Sequence, residues 1–321
     1  GWDNINATTI GGILRENASH WVTGVIDDVA IWNRALSADE VVSLNSGGIP
    51  APNFNPLLVD LVAHFPLDSD GNSTNGNFTA STVTDVEFGS DAAPGLSGTS
   101  ATFNGSSSLI QHDWSADLNP AGSFTLTVWA KSSGGAGAWN SPVTSRHDLN
   151  TQNAESQGYL IYDNEPAGAW TFWSGNGTDP GNWQTLDGPE VNLDEWEHVA
   201  IVYDDDAKTK KLYVNGALAV EKEDSVAEND TTPFNIGAGE DTGTGFHFKG
   251  DLDDIALWSR ALSASEVADV KANGIPKGPS TLVNGLAGYW PLDDGSGTTA
   301  ANKGGGADAQ LYNGVEWVND P

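Results

Sequence analysis

Short runs of alternating apolar and polar residues dominate the middle of this chain. Phe124-Thr-Leu-Thr-Val-Trp129 puts every second side chain on one face, the period of a half-buried strand. Trp170-Thr-Phe-Trp173 follows the same rule more loosely, and Glu197-His-Val-Ala-Ile-Val-Tyr203 reads as a further strand. Lys211-Leu-Tyr-Val-Asn-Gly216 is another, closed by an Asn-Gly turn. Clusters of Gly, Asn, Asp and Ser interrupt these runs at short intervals, the punctuation of a sandwich of antiparallel strands. Helix is signalled only by two capping boxes, Ser37-x-x-Glu40 and Ser263-x-x-Glu266, with Gly48 and Gly274 as stops. The expected interior includes Phe65, Phe103, Trp129, Val199, Ile201, Tyr213, Ile255 and Leu257.

The pattern repeats. Gly24–Pro50 and Gly250–Pro276 agree at 15 of 27 positions without a gap, at an offset of 226 residues. Leu61–Asp68 (LVAHFPLD) matches Leu286–Asp293 (LAGYWPLD) at an offset of 225. A closing motif thus precedes an opening motif twice over. The expected organisation is the C-terminal part of one repeat (1–50), a linker (51–57) and a complete repeat (58–276). A second linker (277–283) and the N-terminal part of a following repeat (284–321) come after it. The Pro-containing joins predict short, stiff connectors. Each end piece lacks the middle strands of a sandwich. Like domains arranged head to tail, in one long chain or a polymer, are therefore the expected partners of those ends.

Charge narrows the classes. The 321 residues carry 44 Asp and Glu against 13 Lys and Arg, a formal charge of −31. Such a surface repels phosphate backbones and anionic lipid, so no nucleic-acid partner is expected. No apolar run approaches the roughly 20 residues that cross a bilayer, so no membrane insertion is expected. Thirteen tryptophans are too many for an acidic disordered tail. Cysteine is absent, which removes disulfides and thiolate chemistry.

With these residues in view, the segment resembles the laminin-G-like branch of the concanavalin A-like lectin/glucanase superfamily. The features that carry the resemblance run in order. They are Phe65-Pro-Leu-Asp68, Ala101-Thr-Phe-Asn-Gly-Ser106, Phe124–Trp129, Glu195-Trp-Glu-His-Val-Ala200, Lys211–Gly216 and Gly250-x-Leu-Asp-Asp-Ile255, with the Ser-Arg-Ala-Leu-Ser263 tail. The resemblance implies an all-β, two-sheet antiparallel jelly roll whose first and last strands are neighbours, with one short C-terminal helix.

Fold alone does not select a function, because the superfamily holds glycosidases, lectins and adhesion modules. Retaining glycoside hydrolysis needs two carboxylates about 5–5.5 Å apart. The Glu-x-Asp-x-(x)-Glu run of glucanases on this fold is missing. Glu195/Glu197 and Glu221/Glu223 have a suitable spacing but read as solvated charges at strand ends. The chain is expected not to be an enzyme. Sugar stacking is offered by the stretch Trp170–Trp183, with Trp173, Trp183 and Asn176 as candidate ligand-binding residues.

Calcium is the expected ion. Pairing of first and last strands would bring Asp68 and Asp70 beside Asp251, Asp253 and Asp254. Five carboxylates repel one another unless a dication with 6–8 oxygen ligands joins them. The reading is a non-catalytic structural or adhesive repeat segment of a long extracellular or cell-surface protein, in a fibre or filament. The alternative is a carbohydrate-binding array attached to a polysaccharide-degrading enzyme, with glycans as partners.

Overall fold

The structure is a computed structural model. It describes residues 9–14, 18–19, 21–36, 41, 44, 56–135, 139–148, 156–163, 168–177, 183–241, 245–276, 286–303, 307–312 and 314–318. Two compact units emerge, one of Pro56–Lys277 and one of the end segments Gly1–Asn55 and Gly278–Pro321. The Ser37–Glu40 capping box and both Pro-containing joins fall largely outside the described residues.

The first strands are β1 (Ile13–Leu14), β2 (Ala18–Ser19) and β3 (Val29–Trp32). The larger unit begins with β4 (Leu61–Phe65), β5 (Thr82–Thr84), β6 (Glu87–Asp91), β7 (Thr99–Asn104), β8 (Leu109–His112) and β9 (Phe124–Ser132). It continues with β10 (Val143–His147), β11 (Gln157–Tyr162), β12 (Ala169–Gly175), β13 (Trp183–Glu190) and β14 (Glu197–Asp204). Then come β15 (Thr209–Val214), β16 (Ala217–Glu223), β17 (Phe234–Ile236), β18 (Lys249–Trp258) and helix α1 (Ala264–Asn273). The closing segment holds β19 (Leu286–Trp290), β20 (Thr299–Ala300) and β21 (Ala309–Gln310).

In the larger unit one sheet runs β13-β12-β11-β10-β17-β8-β5. The other runs β16-β15-β14-β9-β18-β7-β6, with β4 also on β18. The fold is the expected all-β sandwich, and its first and last strands pair antiparallel, Ile255 opposite Phe65 and Leu257 opposite Ala63. The inner faces close on one core containing Phe65, Phe103, Val128, Ile161, Phe172, Val199, Ile201, Ile255 and Leu257.

Two expected core residues are buried elsewhere, and strand parity is the reason. Trp129 follows Val128, so its ring leaves the other face of the sheet and meets His198 edge-on at 5.4 Å. Tyr213 lies in a second apolar cluster with Trp258, Leu262, Val267 and Val270. Helix α1 covers that outer cluster. Its capping box is complete: the Ser263 hydroxyl accepts from Glu266 N–H, and the Glu266 carboxylate accepts from Ser263 N–H. Gly274 ends it at φ +70°, a conformation that favours glycine.

The unit of end segments is built on β3 and β19. Val29 faces Trp290, Ala30 faces Tyr289, Ile31 faces Gly288 and Trp32 faces Leu286. In the larger unit Ile255, Ala256, Leu257 and Trp258 face Phe65, His64, Ala63 and Leu61. Shifted by the repeat offsets, the two registers coincide pair for pair.

Candidate functional site

Residues of the β10–β13 sheet alternate between the core and the outer face. Tyr159, Ile161, Trp170, Phe172 and Leu186 enter the core. Arg146, Tyr162, Trp173 and Trp183 therefore take the outer face, which the register supports: Leu160 lies opposite Trp173, and Gly175 lies opposite Trp183.

Arg146 is the centre of this face. Its Nε donates to Asp241 Oδ1 (2.8 Å), its Nη2 to Asp148 Oδ2 (3.0 Å) and its Nη1 to the Tyr162 hydroxyl (3.2 Å). The guanidinium carbon lies 5.1 Å from the Trp183 ring centre and 5.9 Å from that of Phe246. Both geometries suit cation–π attraction. Trp183 Nε1 donates to Asp148 Oδ2 (3.1 Å), and Asp148 N–H donates to Asp241 Oδ2 (2.7 Å). Burial pushes the Asp241 carboxyl up and, against the pull of Arg146, the Tyr162 phenol up to about 12.

The aromatic rings form a connected set. Tyr162 meets Trp173 edge-on at 5.5 Å, and Phe246 meets Trp139 edge-on at 5.5 Å. Trp139 is 37 % exposed. Trp139 and Phe246 hold φ of +68° and +54°, left-handed values that cost bulky residues about 1–3 kcal/mol each. Such strain persists where surrounding structure enforces it, and it concentrates at ligand sites. The Trp173 indole N–H is buried with no acceptor among the described residues.

Of the expected ligand-binding residues, Trp173 and Trp183 share this face. Asn176 lies half-buried just past β12 and is already partnered within the protein. Sequence reasoning missed Arg146, Asp148, Asp241 and Phe246. The one available signal was an Arg inside a strand pattern, Val143–His147, in a chain with few cations.

The five expected calcium ligands do not converge. Asp251 instead receives Thr102 Oγ1 (2.6 Å) and pairs with Lys131 (3.3 Å), which neutralises it locally. Asp70 caps its own turn by accepting from Asn72 N–H. Asp68, Asp253 and Asp254 do line one cavity of about 270 Å³ together with His64. Asp254 Oδ1 lies 2.5 Å from His64 Nε2, while Asp253 Oδ2 accepts Ala93 N–H and Asp68 Oδ1 accepts Thr99 N–H. Among the described residues no three His, Asp or Glu groups form a metal-binding cluster. Burial, with the charges of Asp254 and Asp68, outweighs the Ala93 hydrogen bond and pushes Asp253 up to about 7. Asp68, Asp253 and Asp254 thus share one cavity in place of the expected five-acid cage.

Glu197 is also not the solvated charge expected. It is 3 % exposed and accepts from Trp170 Nε1, Asn192 N, Asn192 Nδ2 and Asn215 Nδ2. Four donors fix this carboxylate as a brace between strands. Glu221 does behave as a surface charge, 3.6 Å from Lys211.

A family model described as concanavalin A-like lectin/glucanases superfamily matches residues 103–268. The chain belongs to that superfamily. Its match runs from the end of β7 to the middle of α1. Among solved structures, this superfamily member is similar to the binding domain of Paraclostridial Mosquitocidal Protein 1 (18 % identity, TM-score 0.49). That match covers 67 % of this chain and 52 % of the other, so the chain spans about half the length of that relative. It is also similar to domain 4 of AbnA, a GH43 extracellular arabinanase from Geobacillus stearothermophilus, in complex with arabinotriose. There the identity is 22 % and the TM-score 0.47, over 66 % of this chain and 98 % of the other. No curated protein matches the chain.

Proposed function

We propose that the Pro56–Lys277 unit is a non-catalytic glycan-binding module of a secreted or cell-surface protein. The observation that carries this is the outer face of the β10–β13 sheet, where Trp139, Trp173, Trp183 and Phe246 surround Arg146, Asp148 and Asp241. Indole faces stack on the C–H face of a sugar ring. The carboxylates here are already committed. Asp241 accepts at both oxygens, and Asp148 is held by Arg146 and Trp183. That supports binding rather than proton transfer to a glycosidic oxygen. Isothermal titration with soluble polysaccharides tests the reading: Trp183→Ala should weaken binding about tenfold, and release of reducing sugar should stay at background. Hydrolysis abolished by Asp148→Asn would overturn it.

A second reading, the repeat segment of a fibre, is favoured by the register shared between β3–β19 and β18–β4. Strands interchangeable between repeats suit a tandem array of like domains. The two readings are compatible in an adhesive protein. Calcium belongs to the proposal at Asp68 and Asp253 alone, where it would supply the charge that the acidic cavity lacks.

A further inference from the structure

We propose that the Arg146 face accepts neutral glycans and discriminates against sugars bearing carboxylate or sulfate. The inference rests on the glycan reading and adds the ligand class. An arginine beside aromatic rings is ordinarily the group that would capture an acidic sugar, through two parallel N–H bonds to one carboxylate. Here three of its five N–H donors are already engaged and the group is largely covered. Three donors of Arg146 go to Asp241, Asp148 and Tyr162, its two ring neighbours are Trp183 and Phe246, and its side chain is 12 % exposed.

The local charge sum points the same way. Asp148 and Asp241 bring two negative charges against the one of Arg146. Five other cations of the sandwich pair off elsewhere: Lys131 with Asp251, Lys208 with Asp205, Lys210 with Asp224, Lys211 with Glu221 and Arg260 with Glu266. An anionic sugar would approach a net-negative patch on a chain of formal charge −31. To reach Arg146 it would have to displace a carboxylate and leave that group desolvated without its partner. A neutral sugar meets the opposite situation. Its C–H faces rest on the indoles, and it binds without displacing either carboxylate from Arg146.

The test is an array of neutral plant and bacterial glycans beside sialylated, uronate-containing and sulfated ones, probed with the full chain at about 20 mM and about 300 mM salt. Binders are then ranked by titration. The expected result is retention on neutral glycans with little salt dependence. Acidic analogues of the same backbone should bind at least about tenfold more weakly at low salt, with a gap that narrows as screening rises. Asp148→Ala with Asp241→Ala should free Arg146 and raise affinity for the acidic analogues, circular dichroism confirming the fold. If that double variant does not fold, Asp148→Asn should shift the ratio in the same direction by less. Acidic glycans bound as tightly as neutral ones by the unmodified chain would overturn the inference while leaving glycan binding intact. No retention on any glycan would overturn both.

Discussion

His64 Nε2 lies 2.5 Å from Asp254 Oδ1, joining the first strand of the sandwich to the last. The repeat-equivalent positions in the other unit are Tyr289 and Asp28, and there the phenol donates to Asp28 Oδ1 at 2.7 Å. Both acids sit in the left-handed region, Asp254 at φ +50° and Asp28 at φ +48°. A strained acid tied to the facing strand is thus a recurring element of the repeat. Its side-chain partner can be either an imidazole or a phenol. This gives Asp254 a structural duty independent of any ion.

The first prediction follows. His64→Ala should destabilise the protein by about 1–3 kcal/mol, because it leaves a part-buried carboxylate oxygen without its donor. His64→Tyr, which copies the other unit, should recover most of the loss. Urea unfolding of both variants checks this, and equal losses in the two would sink the idea.

Two tryptophans on neighbouring strands, Trp170 and Trp183, should behave oppositely. Trp170 is fully buried and bonded to Glu197, so Trp170→Ala should cost about 3–5 kcal/mol of stability. Trp183 is half-buried on the outer face, so Trp183→Ala should cost under about 2 kcal/mol of stability while removing a sugar-stacking surface. Unfolding curves and polysaccharide titrations of the two variants separate the roles.

Stability against pH should show two opposing contributions. Asp253 and Asp163 are pushed up to about 7 and about 6, chiefly by burial, so the folded chain keeps protons that the unfolded chain has released. Their contribution to stability is lost as pH rises from about 4 to about 7. His112 and His198 are lowered by burial to about 4 and about 3, so the unfolded chain binds protons first as pH falls below about 6.5. Their contribution is lost on acidification. Asp253→Asn removes one side of this balance and should make the loss of stability from pH 7 toward pH 4 steeper than in the unmodified protein. A thermal-melt series across that range decides it; parallel curves would contradict the assignment.

Calcium and the proton on Asp253 should compete. Added calcium should raise the melting temperature more at pH 8 than at pH 5, with linkage worth about 2.7 kcal/mol at 100 times Kd. Asp253→Asn should abolish the difference. Identical melting temperatures with calcium and with chelator at pH 8 would remove the ion from the account.

The sequence alone determined the repeat, the strand character of its middle and the capped helix after Ser263. These rest on local signals: a period of two, a capping box, and motifs whose spacing survives duplication. The tertiary structure decided the faces and the meetings. Trp129 and Trp173 stand in similar alternating runs, yet one is buried against His198 and the other borders the candidate site. Asp251 and Asp253 are two residues apart on one strand, yet Lys131 reaches only the first and the acidic cavity holds only the second. Arg146 finds Asp241 across 95 residues and Trp183 across 37. Alternation places a side chain on one side of a sheet or the other. Which neighbours it meets depends on the register of strands distant in sequence and on the loops between them, and those are fixed only when both sheets close on the common core.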